Sequence, residues 1–308
     1  MNPPPSDSTE TTPDVGWTPI AEEAARAARL LHPEEGTLPR PGRRRVLTVA
    51  NQKGGVGKTT STVNLAAALA VHGLKTLVVD LDPQGNASTA LDVDHRSGTP
   101  SIYEVLIGEV TLAEAAQATE QSPNLFCVPA TIDLAGAEIE LVSMASRESR
   151  LKEAISSEIL NEIGVDYVFI DCPPSLGLLT VNAMVAAQEV LIPIQCEYYA
   201  LEGLGQLLSN IELVQQHLNR ELHVSTILLT MYDGRTKLAD QVTNEVRSHF
   251  GDTVLKTVIP RSVKVSEAPG YGQTVLAYDP GSRGAMSYVD AAKEIAERGA
   301  KLERGSST

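Results

Sequence analysis

The stretch VLTVANQKGGVGKTTSTVNLAAALAVH, residues 46–72, decides how the rest of the chain is read. Its first five residues are apolar and largely β-branched, as in a strand buried on both faces, and from Thr60 to His72 an Ala-rich helical pattern follows. Between them lies Asn51-Gln52-Lys53-Gly54-Gly55-Val56-Gly57-Lys58-Thr59-Thr60. A glycine-rich link from strand to helix is what a phosphate-binding loop needs. The glycines let successive N–H groups turn inward toward phosphate oxygens, and the helix N-terminus adds its dipole. Lys58 is placed to neutralise the β and γ phosphates of a nucleotide, and the Thr59 hydroxyl to ligate Mg²⁺. The usual spacing G-x-x-x-x-G-K-[ST] is not fully met, because Gln52 stands at its first glycine. Lys53 is a second lysine ahead of the glycine pair. With Lys58 serving the chain's own γ-phosphate, Lys53 can reach the nucleotide of a second subunit, as an arginine finger does in trans.

Outward from this loop, apolar runs alternate with helical patterns. VLTVA (46–50), TLVVDLD (76–82), LFCVPA (125–130), DYVFID (166–171), EVLIPI (189–194), VSTILLTM (224–231) and VLKTVIP (254–260) read as strands buried on both faces. Helical segments are expected at 60–72, 147–163, 201–218, 238–250 and 285–301. This alternation predicts an α/β protein: a three-layer αβα P-loop fold, with a mostly parallel sheet and helices on both faces. In such sheets ligands bind at the C-terminal strand ends, where Asp80, Asp82 and Asp171 stand. Strand alternation sends Asp80 and Asp82 to one face, near the loop. Asp171, closing an apolar run, has the pattern of a carboxylate behind the Mg²⁺ ligands.

One domain, residues 43–302, accounts for the body, followed by a tail at 303–308. Residues 1–42 read as a disordered extension rich in Pro, Ser, Thr and acidic residues, with a short helix allowed at 20–31. Cys127, Cys172 and Cys196 form no C-x-x-C pair, which excludes a disulfide framework or a zinc knuckle. No signal-peptide pattern is present, so a cytoplasmic protein is expected. The formal net charge of -14 argues at first against nucleic acid. That charge is unevenly spread: residues 65–229 hold 22 acidic and 6 basic side chains, whereas residues 230–264 hold 6 basic and 4 acidic. Local charge decides which surface meets which partner.

With these residues in hand, the sequence resembles the ParA/Soj chromosome-partitioning ATPases of the deviant Walker A (MinD/ParA) class. The resemblance covers roughly residues 46–297. It is carried by NQKGGVGKTT (51–60), VVDLDPQGNAS (78–88), PATIDLAGAEIELV (129–142), DCPPSLGLLTVNA (171–183), QCEYYALEGL (195–204) and IPRSVKVSEAPGYGQTVLAYDPGSRGA (259–285). It implies ATP and Mg²⁺ as cofactors and a homodimer that sandwiches ATP, with Lys53 touching the partner's nucleotide. Asp82 matches the aspartate that orients the attacking water, and Asp171 the Walker B carboxylate. Pro260 and Ser262 fall where the family holds adenine, although relatives commonly carry Asn at the position of Ser262. The resemblance further implies double-stranded DNA binding without sequence preference through Arg235 and Lys264, nucleoid association, and slow turnover raised by a ParB-like centromere-binding partner. Anchoring to a polar scaffold through the first 42 residues is a further expectation.

A MinD-like membrane-associated positioning ATPase is the alternative, but it needs a basic amphipathic C-terminal helix. Residues 287–304 carry four basic and four acidic residues and an Ala-rich apolar face, so no membrane partner is expected. An iron-sulfur carrier needs Cys pairs, and a small-molecule kinase or ligase needs an acceptor pocket that nothing in the sequence suggests.

Overall fold

The computed structural model describes residues 38–155, 160–161, 164–198, 201 and 203–305. The helix allowed at 20–31 and the tail beyond Gly305 lie outside them, as does part of the helix expected at 147–163.

All seven apolar runs form strands, because each alternates large apolar side chains between two covered faces. The elements in chain order are β1 (Arg45–Val49), α1 (Lys58–Val71), β2 (Thr76–Asp80), α2 (Asn86–Ala90), α3 (Ile102–Ile107), α4 (Leu112–Ala115), β3 (Gln117–Thr119), β4 (Ser122–Val128), α5 (Leu134–Val142), α6 (Arg150–Ile155), β5 (Tyr167–Asp171) and α7 (Leu178–Ala186). They continue with β6 (Glu189–Gln195), α8 (Leu204–His217), β7 (His223–Tyr232), α9 (Lys237–Phe250), β8 (Val254–Pro260), α10 (Val263–Glu267), α11 (Val275–Tyr278) and α12 (Arg283–Gly305). One eight-stranded sheet has the order β3-β4-β2-β5-β1-β6-β7-β8. Every pairing is parallel except β3 with β4, a short antiparallel edge that the sequence reading did not include.

Two apolar clusters cover the two faces. Leu47 and Val49 of β1 point toward α1 and α12, while Val46 joins a cluster with residues of α3, α5, α7 and α8. The chain is therefore a three-layer α/β fold. Helix α1 is buried almost all round, from Ser61 to Ala70, which explains its Ala-rich composition: small side chains let strands and helices approach on every side. Its N-terminus lies at the C-terminal edge of β1 and so fixes where the phosphate loop sits. At the opposite edge, the Arg45 guanidinium forks onto both Glu189 oxygens at 2.7 and 2.6 Å and donates to the Ile295 carbonyl at 2.8 Å. Burial disfavours the Arg45 charge, but the Glu189 pair outweighs it and holds the side chain ionised.

Candidate functional site

Gly57 takes a left-handed backbone (φ 89°) immediately before α1, a conformation that glycine adopts without strain. The loop it ends is held by one internal hydrogen bond and by bonds to two strands. Asn51 donates to the Pro193 carbonyl at 2.8 Å, and its oxygen accepts from the Lys53 amide at 3.0 Å. From β7, the Thr230 hydroxyl donates to the Val56 carbonyl at 2.9 Å. The loop opens on a cleft of about 480 Å³ whose lining includes Gly54, Lys58, Thr59, Asp82, Met231 and Pro269.

Charge in this cleft is buried and poorly matched. Lys58 is 8% exposed and its ammonium donates to the Lys53 carbonyl at 3.4 Å. Burial lowers the Lys58 pKa, opposed by the nearby Asp171 and Asp82 carboxylates. Thr59 donates to one Asp171 oxygen at 2.6 Å and Thr62 to the other at 3.2 Å. Asp171 and Asp80 are direct neighbours across the β2–β5 pairing, both fully buried. Burial pushes the Asp171 carboxyl up to about 8, and the Asp80 charge pushes it the same way. Burial also raises Asp80 to about 6, against the Ser88 hydroxyl and amide that stabilise its ionised form.

The two aspartates at the end of β2 have different partners. The ladder runs one residue past Asp80, where the Leu81 amide donates to the Asp171 carbonyl at 2.9 Å, and Leu81 joins Val79 in the apolar cluster on the far face, so the alternation carries on toward Asp82. Asp80 accepts from the Ser88 amide at 2.8 Å, the Ser88 hydroxyl at 2.7 Å and the Asp82 amide at 3.3 Å. Ser88 accepts in turn from the Ala130 amide at 3.1 Å. This buried network holds the loop that carries Asp82 to the cleft wall. The left-handed Gly85 (φ 62°) starts α2 there, and a side chain at that position would meet the Ala130 carbonyl at 3.2 Å.

The structure brings Gly54, Gly55, Gly57, Lys58, Thr59, Thr60 and Asp82 to one cleft, with Asp171 directly behind Thr59. Val56 is buried beneath the loop and Lys53 is half-buried on its shoulder. Pro260 closes β8 and Ser262 precedes α10, and neither is among the described residues lining the cleft. Met231, itself in a left-handed conformation (φ 52°), and Pro269 stand in the wall instead, and nothing local in the sequence marks either. Thr62 was legible as a second hydroxyl three residues beyond Thr59, on the same helix face. The positions expected to meet DNA are exposed and locally paired. Arg235 forks onto Asp233 at 2.8 and 2.7 Å, while Lys264 lies 3.5 Å from Glu267 and 5.4 Å from the Tyr278 ring centre.

A glycine-rich loop between a central parallel strand and a buried helix, with a strand-end carboxylate behind the loop threonine, defines the class of P-loop nucleotide-binding proteins. Comparison with known proteins narrows the class. Residues 44–224 match a family described as an AAA domain. The chain is 52% identical over 255 residues to the sporulation initiation inhibitor protein Soj of Bacillus subtilis, covering 83% of this chain and 99% of that protein. It is 50% identical over 254 residues to the chromosome partitioning protein ParA of Caulobacter vibrioides, covering 82% and 94%. Among solved structures, a cobyrinic acid a,c-diamide synthase from Mycobacterium smegmatis with bound ATP analog and magnesium aligns with TM-score 0.68 and 41% identity, over 81% of this chain and 93% of that one. The cell division ATPase MinD of Pyrococcus furiosus aligns with TM-score 0.67 and 28% identity, over 83% and 100%. The chain belongs to the Soj/ParA family of chromosome-partitioning ATPases.

Proposed function

We propose that this chain is an ATP-dependent partition switch: an MgATP-bridged homodimer binds DNA without sequence preference, and hydrolysis releases it. The observation that carries the reading is the buried, poorly matched charge of the cleft. A lysine and two adjoining carboxylates, beside a glycine-rich loop at a helix N-terminus, are complementary to a polyphosphate with a divalent cation. Lys58 and the amides of Gly54 to Thr60 bind phosphate charge. Thr59 would hold Mg²⁺, with Asp171 fixing the Thr59 hydroxyl from behind. When bound, Mg²⁺ neutralises charge that develops on the transferred phosphoryl group. Asp82 orients the water whose oxygen bonds to the γ-phosphorus as the bond to the β,γ-bridging oxygen breaks. Pro260 and Ser262 remain the proposed adenine side of the site.

Lys53 on the loop's shoulder reaches a partner's nucleotide. Ile132 just ahead of α5 and Ile139 and Val142 on it are 66%, 79% and 60% exposed, and a second copy would cover them. Dimer formation then pairs Arg235 and Lys264 with their copies. Because log affinity scales with the number of phosphates neutralised, doubling the contacts separates dimer from monomer by orders of magnitude. Turnover is slow alone and faster with a ParB-like partner, and the protein is cytoplasmic and nucleoid-associated, with the N-terminal extension ahead of the buried Leu38 as the contact for a polar scaffold. The membrane-associated alternative is disfavoured because the apolar face of α12, including Val289, Ala292 and Ile295, is already consumed in the core.

DNA co-sedimentation with ATP, ADP or no nucleotide, at several salt concentrations, tests the switch. ATP-dependent binding that weakens with salt, prolonged in Asp82→Ala and weakened in Arg235→Glu, is expected. Equal binding in all nucleotide states overturns it.

A further inference from the structure

Two side chains, Asn51 and Thr230, tie the nucleotide loop to the sheet, and they act differently on its amides. Asn51 takes up the Lys53 N–H with its own side-chain oxygen, so that donor is spent within the loop. Thr230 takes up a carbonyl instead: its hydroxyl, on a residue 2% exposed, donates from β7 to Val56 at 2.9 Å. A peptide unit is planar and trans, so the C=O and N–H of the Val56–Gly57 unit point in opposite directions. With the Val56 carbonyl held against β7, the Gly57 N–H points away from that strand. A flip of the unit changes ψ of Val56 and φ of Gly57, and glycine populates both signs of φ about equally. The observed φ of 89° is therefore permitted by Gly57 but not chosen by it.

The strand sets where the Thr230 hydroxyl stands. Leu228 packs in the apolar cluster with α1, and Thr230, two residues on, falls on the same face. Its carbonyl accepts from the Cys196 amide at 3.0 Å, which fixes the residue in the sheet. Past it β7 bulges: Leu229 and Tyr232 stand opposite Val258 and Pro260, three steps against two, with Met231 left-handed between them. Met231 thereby reaches the cleft wall, whereas Thr230 is not among the described residues lining the cleft and stays behind the loop. A Cβ on Gly57 would lie 3.8 Å from the Thr230 methyl, so strand and loop touch at this point.

We propose that Thr230 is a positioning residue for nucleotide binding: its hydroxyl holds the Val56–Gly57 peptide in the orientation that presents the Gly57 N–H, rather than the Val56 carbonyl, to a nucleotide phosphate. The proposal rests on the nucleotide-site reading and adds to it a residue 174 positions along the chain from the loop. Without the hydroxyl both orientations are populated, and apparent affinity falls with the fraction of chains in the competent one. Saturating nucleotide restores that orientation, so turnover at saturation is spared.

The test is a donor series in the full chain. Thr230→Val keeps the shape and deletes the donor, Thr230→Ser keeps the donor, and Thr230→Cys supplies a weak one of similar size. Calorimetric titration with MgADP should give a Kd raised about tenfold in Thr230→Val, the effect of one hydrogen bond, and within about twofold of the wild type in Thr230→Ser. Thr230→Cys should fall between them. In steady-state ATP hydrolysis KM should rise in the same order while kcat stays within about twofold. A residue that served packing alone would lower the urea midpoint of Thr230→Val without moving Kd or KM, and that result overturns the proposal. So does a Kd raised as far in Thr230→Ser as in Thr230→Val. Should circular dichroism show Thr230→Val unfolded, the Ser and Cys variants decide, and equal Kd values for the two overturn it. Lys58→Ala keeps the two readings apart. If it binds MgADP as the wild type does, the nucleotide site itself is misplaced; if it loses binding while the Thr230 series stays flat, only the role of Thr230 is overturned.

Discussion

At the lower end of β1, Arg45 is held by both oxygens of Glu189 and by the Ile295 carbonyl, all within 2.8 Å. Beyond the upper end of the same strand, Lys58 reaches a carbonyl at 3.4 Å while two buried acids of the sheet, Asp171 and Asp80, stand side by side. Both ends take charge out of water, which is costly unless the charge is paired and hydrogen-bonded. The lower end resolves that cost within the chain. The upper end leaves it to be resolved by something bound, and the contrast separates a structural ion pair from a ligand site.

The largest effect is expected from breaking the lower pair. Glu189→Ala leaves the Arg45 charge buried and unpaired and should cost about 3–5 kcal/mol in urea unfolding. Replacing both partners with apolar residues, Arg45→Met with Glu189→Leu, should recover most of that loss. The upper end should behave in the opposite way. Lys58→Ala should lower ATP turnover by about 10²-fold or more, as for loss of a group that stabilises transition-state charge, yet leave the unfolding midpoint of the nucleotide-free chain unchanged or higher.

A pH series sharpens the same contrast. Asp171 and Asp80 are raised to about 8 and about 6, so from about pH 4 upward the folded chain holds more protons than the unfolded one. Stability of the nucleotide-free chain should therefore fall as pH rises toward 8. Thermal unfolding between pH 5 and pH 7, each about a unit inside the ends of that window, checks the sign, and Asp171→Asn should flatten the slope. The smallest effect concerns the exposed surface. Arg235 is already forked onto Asp233, so Arg235→Ala should leave stability within about 0.5 kcal/mol and lower the salt slope of DNA binding by about one.

Much of this was legible before the tertiary structure. The seven long strands were readable because burial on both faces demands unbroken apolar runs. Helices α3 and α4 were not read, although both carry capping boxes, Ser101 with Glu104 and Thr111 with Glu114, that announce a helix start. Their six and four residues are too short for periodicity to show. Helix α7 lies in the apolar stretch 176–194 that runs on into β6, and composition alone does not divide helix from strand there. The three-residue β3 pairs only at the sheet edge, where a short segment leaves almost no pattern.

What the sequence determined by itself was local: a phosphate loop between strand and helix, aspartates at strand ends, and acidity confined to the middle of the chain. Each follows from residue type and spacing along a few turns of backbone. The tertiary structure decided which of those charges found partners. Thr59 and Asp171 are 112 residues apart and meet only because β5 lies directly beside β1 in the sheet. Asp80 and Asp82 are two residues apart and meet different surroundings, because Ser88 captures the first while the second lines the cleft. Spacing sets what a side chain can do, but strand order and strand ends set what it faces, and these depend on how distant segments bury one another's surfaces.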